Sequence, residues 1–179
     1  GCTISSNEVR GGPGNIGDGT RGSLGFRTAV PLDNLGVPGA RIDANLTSGS
    51  SEVFDPISGR PREFSDEFTG SWSVSFRQDF PEAKFSYGFR WSDGGSGTAY
   101  RFNEASRRSR EDADASIFME TSRWLGLRIR VGIDDLLPAE FARNRVIYVG
   151  DREQSAIRTV ERTHSANGVQ PFIRVSGKF

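Results

Sequence analysis

Residues able to do covalent or proton-transfer chemistry are few and scattered in this sequence. Histidine occurs once, as His164 between Thr163 and Ser165 in a polar stretch that reads as a solvated loop, and cysteine once, as Cys2. A general base needs a partner to orient it, and a thiolate needs a neighbouring cation to lower its pKa; the sequence offers neither residue such company. The single cysteine also excludes a disulfide framework or a cysteine-rich zinc site, leaving a lipid anchor as the one further chemistry open to Cys2. Carboxylates at Asp55, Glu63, Asp66 and Glu67 show no spacing that sets an acid against a base. The glycines of Gly11-Gly12-Pro13-Gly14-Asn15-Ile16-Gly17-Asp18-Gly19 invite comparison with a phosphate cradle, but no Lys-Ser/Thr pair follows them and turn formation explains them better. The run Arg107-Arg108-Ser109-Arg110-Glu111, leading into Asp112-Ala113-Asp114, reads as a solvated loop with local ion pairs; capture of an anionic ligand is the sharper alternative. No enzymatic activity, cofactor or metal centre is expected.

What remains is arginine, and its placement depends on the elements that carry it. Lys84 and Lys178 are the only lysines among 23 basic residues, which balance 23 acidic ones, so no global field favours nucleic acid. Glycine is abundant at 22, phenylalanine numbers 13 and methionine 1, a mixture that suits strands and turns better than helices. Hydrophobic period is repeatedly two. From Ala40 to Thr47 one face carries Ala40, Ile42, Ala44 and Leu46, and the other Arg41, Asp43, Asn45 and Thr47. From Lys84 to Trp91, Phe85, Tyr87, Phe89 and Trp91 oppose Lys84, Ser86, Gly88 and Arg90; from Gly126 to Asp134, Leu127, Ile129, Val131 and Ile133 oppose Arg128, Arg130 and Asp134. Leu24–Val30, Phe68–Arg77, Ala113–Thr121 and Val169–Phe179 alternate likewise, giving seven strands plus a poorly patterned candidate at Thr3–Arg10.

Links between these strands alternate in length. Asp33–Pro38, Phe80–Ala83 and Ser122–Leu125 are short; Ser48–Glu63, Ser92–Asp112 and Asp135–Gly168 are long and polar. In an up-and-down antiparallel sheet this puts every tight turn at one end and every long loop at the other, the asymmetry of outer-membrane barrels. No run approaches the 18 apolar residues of a membrane helix, but a barrel strand needs only about 9–11 residues with alternate positions apolar. Aromatic residues near strand ends, Trp72, Phe80, Trp91 and Trp124, fit interfacial girdles.

Several segments resemble, in order, the late barrel of TonB-dependent outer-membrane receptors. They are Gly14–Gly19, Pro31–Arg41, Phe54-Asp55-Pro56-Ile57-Ser58-Gly59-Arg60, Phe76-Arg77-Gln78-Asp79-Phe80-Pro81 and Tyr100–Glu104. The end, Pro171-Phe172-Ile173-Arg174-Val175-Ser176-Gly177-Lys178-Phe179, is similar to that family's closing strand. The resemblance implies a 22-stranded barrel that imports scarce nutrients such as metal chelates (siderophores), vitamins or carbohydrates, in the outer membrane of a Gram-negative bacterium. It also implies an inner-membrane TonB energy complex acting through an N-terminal plug, and an assembly signal at Ile173, Val175 and Phe179 read by the barrel assembly machinery. Nothing in residues 1–179 resembles the plug, so the chain is expected to be the C-terminal third of such a receptor or a shortened relative.

The fold expected is therefore all-β: seven or eight antiparallel up-and-down transmembrane strands, part of a larger barrel bounded by lipid and completed by strands and a plug from the same receptor or another chain. On this reading Arg41, Asp43, Asn45, Arg77, Arg90, Arg128, Arg130 and Arg174 line a polar lumen. Two alternatives stand beside it. One is a self-contained eight-stranded structural or adhesive barrel, closed by pairing Thr3–Arg10 with Val169–Phe179. The other is a soluble carbohydrate-binding β-sandwich, with the aromatic faces as its core.

Overall fold

The structure, a computed structural model, describes residues 16–110, 113–124, 126–137 and 140–177 in full and residues 3–5 and 8–10 by their backbone. The described residues form fourteen strands: β1 (Thr3–Ser5), β2 (Glu8–Arg10), β3 (Gly19–Pro31), β4 (Ala40–Phe54), β5 (Pro61–Arg62), β6 (Gly70–Phe80), β7 (Phe85–Asp93), β8 (Ser96–Arg101), β9 (Glu104–Arg110), β10 (Asp114–Thr121), β11 (Arg128–Asp134), β12 (Glu140–Tyr148), β13 (Ile157–Ala166) and β14 (Gln170–Ser176). The main sheet has the order β14-β11-β10-β7-β6-β4-β3, with β5 paired to β4, and every pairing is antiparallel. These seven strands of the main path correspond to the seven alternating segments of the sequence.

The tight turns fall where expected. One is a single turn of 3-10 helix at Asp33–Leu35, ended by Gly36 in the left-handed region (φ 81°), where a side chain would be strained. The others join β6 to β7 and β10 to β11.

The long links are not loops. Leaving the main sheet, the chain re-forms β8 and β9 between β7 and β10, and β12 and β13 between β11 and β14, in a second sheet of order β13-β12-β9-β8. The arginine run at 107–110 thus lies in β9 and His164 in β13, opposite Ala142, rather than in solvated loops. Neither face of these strands is uniformly apolar, so no alternation announces them; backbone pairing across the hairpins stabilises them. The candidate strand Thr3–Arg10 is corrected as well: Thr3–Ser5 pairs antiparallel with Glu8–Arg10 as β1 with β2, so the segment is not one strand. Among the described residues β14 pairs only with β11, so the eight-strand closure is not made.

Register divides the main sheet into two unlike faces. One row of cross-strand neighbours runs Ile42, Phe76, Phe89, Ile117, Ile133, Pro171. Trp72 and Trp91 meet edge to face with centroids 5.0 Å apart at one end of this apolar face, and Phe80 and Phe85 at 6.2 Å at the other. From Trp72 to Phe80 β6 runs nine residues, the lower end of the about 9–11 residues that a tilted membrane strand needs to cross.

Among the described residues nothing covers this face. Leu24, Phe26, Met119, Ile173 and Val175 are all more than half exposed, and among the described residues only Ala40, Val53 and Ala142 are buried apolar side chains. Substantial contacts between strands run between hydrogen-bonded neighbours, so no second layer sandwiches the aromatic residues. The accessible surface is 12548 Å². A compact monomer of 19.6 kDa would expose only about 8,600 Å².

Candidate functional site: an arginine-bearing sheet face

The face opposite the apolar one gathers the polar residues singled out in the sequence. Arg41 lies opposite Arg77, Asp43 opposite Ser75, and Asn45 opposite Ser73. Arg90 lies between Ser75 and Ser116, Arg130 opposite both Glu120 and Arg174, and Arg128 opposite Ser176. All eight predicted residues therefore share one face, because period-2 alternation is kept without slip across the main sheet. Of the predicted assembly signal, Ile173 and Val175 stand on the apolar face, and Phe179 lies outside the described residues.

Near the tight-turn end these groups form an ionic network. Arg77 donates from Nε to Asp79 Oδ1 (2.9 Å) and from Nη2 to Ser86 Oγ (3.0 Å) and Glu120 Oε1 (3.2 Å). Arg128 Nε approaches the same Glu120 oxygen at 3.7 Å, and Arg41 Nε donates to Asp43 at 2.9 Å. Arg77, Lys84, Ser86, Glu120 and Arg128 line a cavity of ≈ 300 Å³. Glu120 is the member that sequence reading did not single out. It is only 11% exposed and bears two guanidinium contacts.

Sequence reading also passed over the platform beneath the arginines. Phe118 and Phe172 lie on the polar face, opposite Gly88 and Gly132 respectively. A Cβ at Gly88 would stand 2.8 Å from the Phe118 ring, and one at Gly132 2.7 Å from Phe172. Each ring thus occupies the space its glycine leaves, a packing that pins strand register. The Arg130 guanidinium sits 3.6 Å above the Phe118 centroid and Arg174 5.8 Å from that of Phe172. A glycine opposite an aromatic residue on a polar face was the available signal, but it shows only once register is known.

A second centre lies beyond the main sheet, where the long hairpins meet. Asp55, 2% exposed, accepts from the Ile57 amide (3.1 Å) and Arg152 Nη2 (2.8 Å), with Arg62 Nε at 3.3 Å. Both guanidiniums also face the Tyr100 ring, at 4.6 and 5.2 Å. Burial alone would raise the Asp55 pKa, but the Ile57 amide and the two arginines outweigh it and hold the carboxyl below its ordinary value. On the second sheet, Glu104 takes both arms of Arg145 (2.8 and 2.9 Å), and Arg145 also reaches Glu161 at 3.1 Å. The Arg145 hydrogen bonds depress the Glu104 pKa against the opposing effect of burial. These contacts fasten three hairpins that are far apart in sequence.

Among the described residues no three His, Cys, Asp or Glu side chains converge as a metal site. No family model, curated protein or solved structure matches this chain.

Proposed function

We propose that this chain is a wall of an outer-membrane β-barrel, belonging to a TonB-dependent receptor that imports a scarce nutrient. The observation that carries this reading is the single-layer meander, with an uncovered apolar face on one side and an ion-paired arginine face on the other. A sheet so arranged in water would expose its greasiest surface, a large loss of hydrophobic stabilisation. Against lipid the same surface is at home, while a charge on that side at mid-depth would cost about 2–4 kcal/mol. The arginines then face an aqueous interior, where they meet the transported solute or the plug.

The open edges support a larger barrel over a small one. In hydrocarbon each unpaired backbone group costs several kcal/mol, and β3 and β14 present such rows at opposite margins of the sheet. Further strands, from the same receptor or another chain, pair these edges. The second sheet and the Asp55 centre extend past the tryptophan end of the apolar face, where they form the outward surface that meets the nutrient.

Membrane fractionation tests the reading. Expressed together with the strands that complete its edges, the chain is expected in the outer-membrane fraction, resistant to carbonate washing, with the β12–β13 hairpin cut by protease added outside the cell. Recovery as a monodisperse species in the aqueous fraction without detergent would refute it.

A further inference from the structure

We propose that Arg130 and Arg174 form an oxyanion-binding site that takes a carboxylate or phosphate group, an assignment that rests on the arginine face lining an aqueous interior. The two residues are direct cross-strand partners on β11 and β14. Like charges directly opposite each other destabilise an antiparallel pair, so an arginine pair kept there calls for an anion between its members. The protein supplies too few. Around the pair, the positive groups Arg77, Arg128, Arg130 and Arg174 face Glu120 and Asp79. Asp79 is taken by Arg77 at 2.8 Å, and Glu120, which lies directly opposite Arg130 and attracts it, is shared with Arg77 and Arg128 at 3.2 and 3.7 Å. Asp134, four residues along β11 and opposite Gln170, adds only a weaker attraction toward Arg130.

A second observation points the same way. The Nε of Arg130 is buried and has no hydrogen-bond acceptor in the protein. A buried donor without an acceptor is costly, and an oxyanion is the acceptor a guanidinium fork fits best. Pre-organisation favours such a role, because the Arg130 guanidinium stands 3.6 Å from the Phe118 ring centre, and Phe118 is itself fixed over Gly88. Arg174, exposed and with its guanidinium 5.8 Å from the Phe172 ring centre, provides the second fork. Stacked guanidiniums keep their in-plane donors free while losing little conformational freedom on binding.

Titration calorimetry of the folded chain in detergent micelles, with citrate and inorganic phosphate as probes, tests the site. Saturable binding of either anion at one equivalent is expected, weakening as salt rises; whichever binds more tightly distinguishes carboxylate from phosphate recognition. Arg174→Gln is expected to weaken it about 10- to 100-fold, the effect of removing a charge-assisted hydrogen bond. Arg174→Lys, which keeps the charge without the fork, should recover only part of the loss. Arg27→Gln, on β3, should bind as the parent does. Near-ultraviolet circular dichroism establishes that each variant is folded. Absence of binding by either anion, or equal weakening by Arg27→Gln and Arg174→Gln, overturns the site. Because membrane fractionation is read separately, a chain that inserts normally but binds no anion would sink this inference alone.

Discussion

Replacing Ile117 by arginine puts the assignment of faces under the most direct strain. Ile117 lies on the interior strand β10, 45% exposed, in the apolar row between Phe89 and Ile133. That row is midway between the tryptophan and phenylalanine ends of the apolar face. A guanidinium placed there in hydrocarbon costs about 2–4 kcal/mol, or roughly 30- to 700-fold in the balance between inserted and uninserted chain. The matched control is Ser75→Arg. Ser75 is adjacent to Phe76, a member of the same row, but points to the opposite face between Asp43 and Arg90, one charge of each sign. Its cost should stay within about 0.5 kcal/mol, as for other wet surface positions. The assay is the yield of carbonate-resistant membrane protein, followed by the urea midpoint of the inserted material. Ile117→Arg is expected to lose most of its insertion and Ser75→Arg almost none. Equal tolerance of the two changes, or greater damage from Ser75→Arg, would refute the lipid-facing assignment.

Other perturbations probe the supports of the site. Gly88→Val drives a branched side chain against both the Phe76 carbonyl oxygen and the Phe118 ring and should cost about 1–3 kcal/mol by urea unfolding; pairing it with Phe118→Leu should recover only the ring's share in a double-mutant cycle. Asp55→Asn leaves Arg62 and Arg152 buried around a neutral amide, a loss of about 3–5 kcal/mol that limited proteolysis of the β4–β5 and β12–β13 hairpins should register. Acid should loosen the same region. The Asp55 and Glu104 pKa values are lower folded than unfolded, so the stabilisation they give is full above the ordinary carboxylate range of about pH 4–4.5 and is lost as pH falls through their folded values. Hydrogen-exchange protection in β8, β9 and β12, with the intrinsic pH dependence of amide exchange divided out, should therefore hold steady from neutral pH to about pH 5 and fall below pH 4.

The main sheet was legible wherever one face had to be apolar. The alternation of Phe85, Tyr87, Phe89 and Trp91 with Ser86, Gly88 and Arg90 reports two different surroundings on a period of two, which gives strand, face and register parity together. Glu104–Arg110 and Glu140–Tyr148 gave no such report, because both of their faces carry polar side chains. Their pairing comes from backbone hydrogen bonds, which leave no mark on residue type.

Sequence by itself thus determined the seven main strands, the tight turns and the company of the arginines on one face, since all three follow from local alternation and turn chemistry. Only the tertiary structure decided that Phe118 fills the space over Gly88 beneath Arg130, and that Asp55 meets Arg152 from 97 residues away. Such contacts depend on which strands lie side by side and at what offset. That is a property of the assembled sheet, because a single strand's pattern fixes which way each side chain points but not what it finds there.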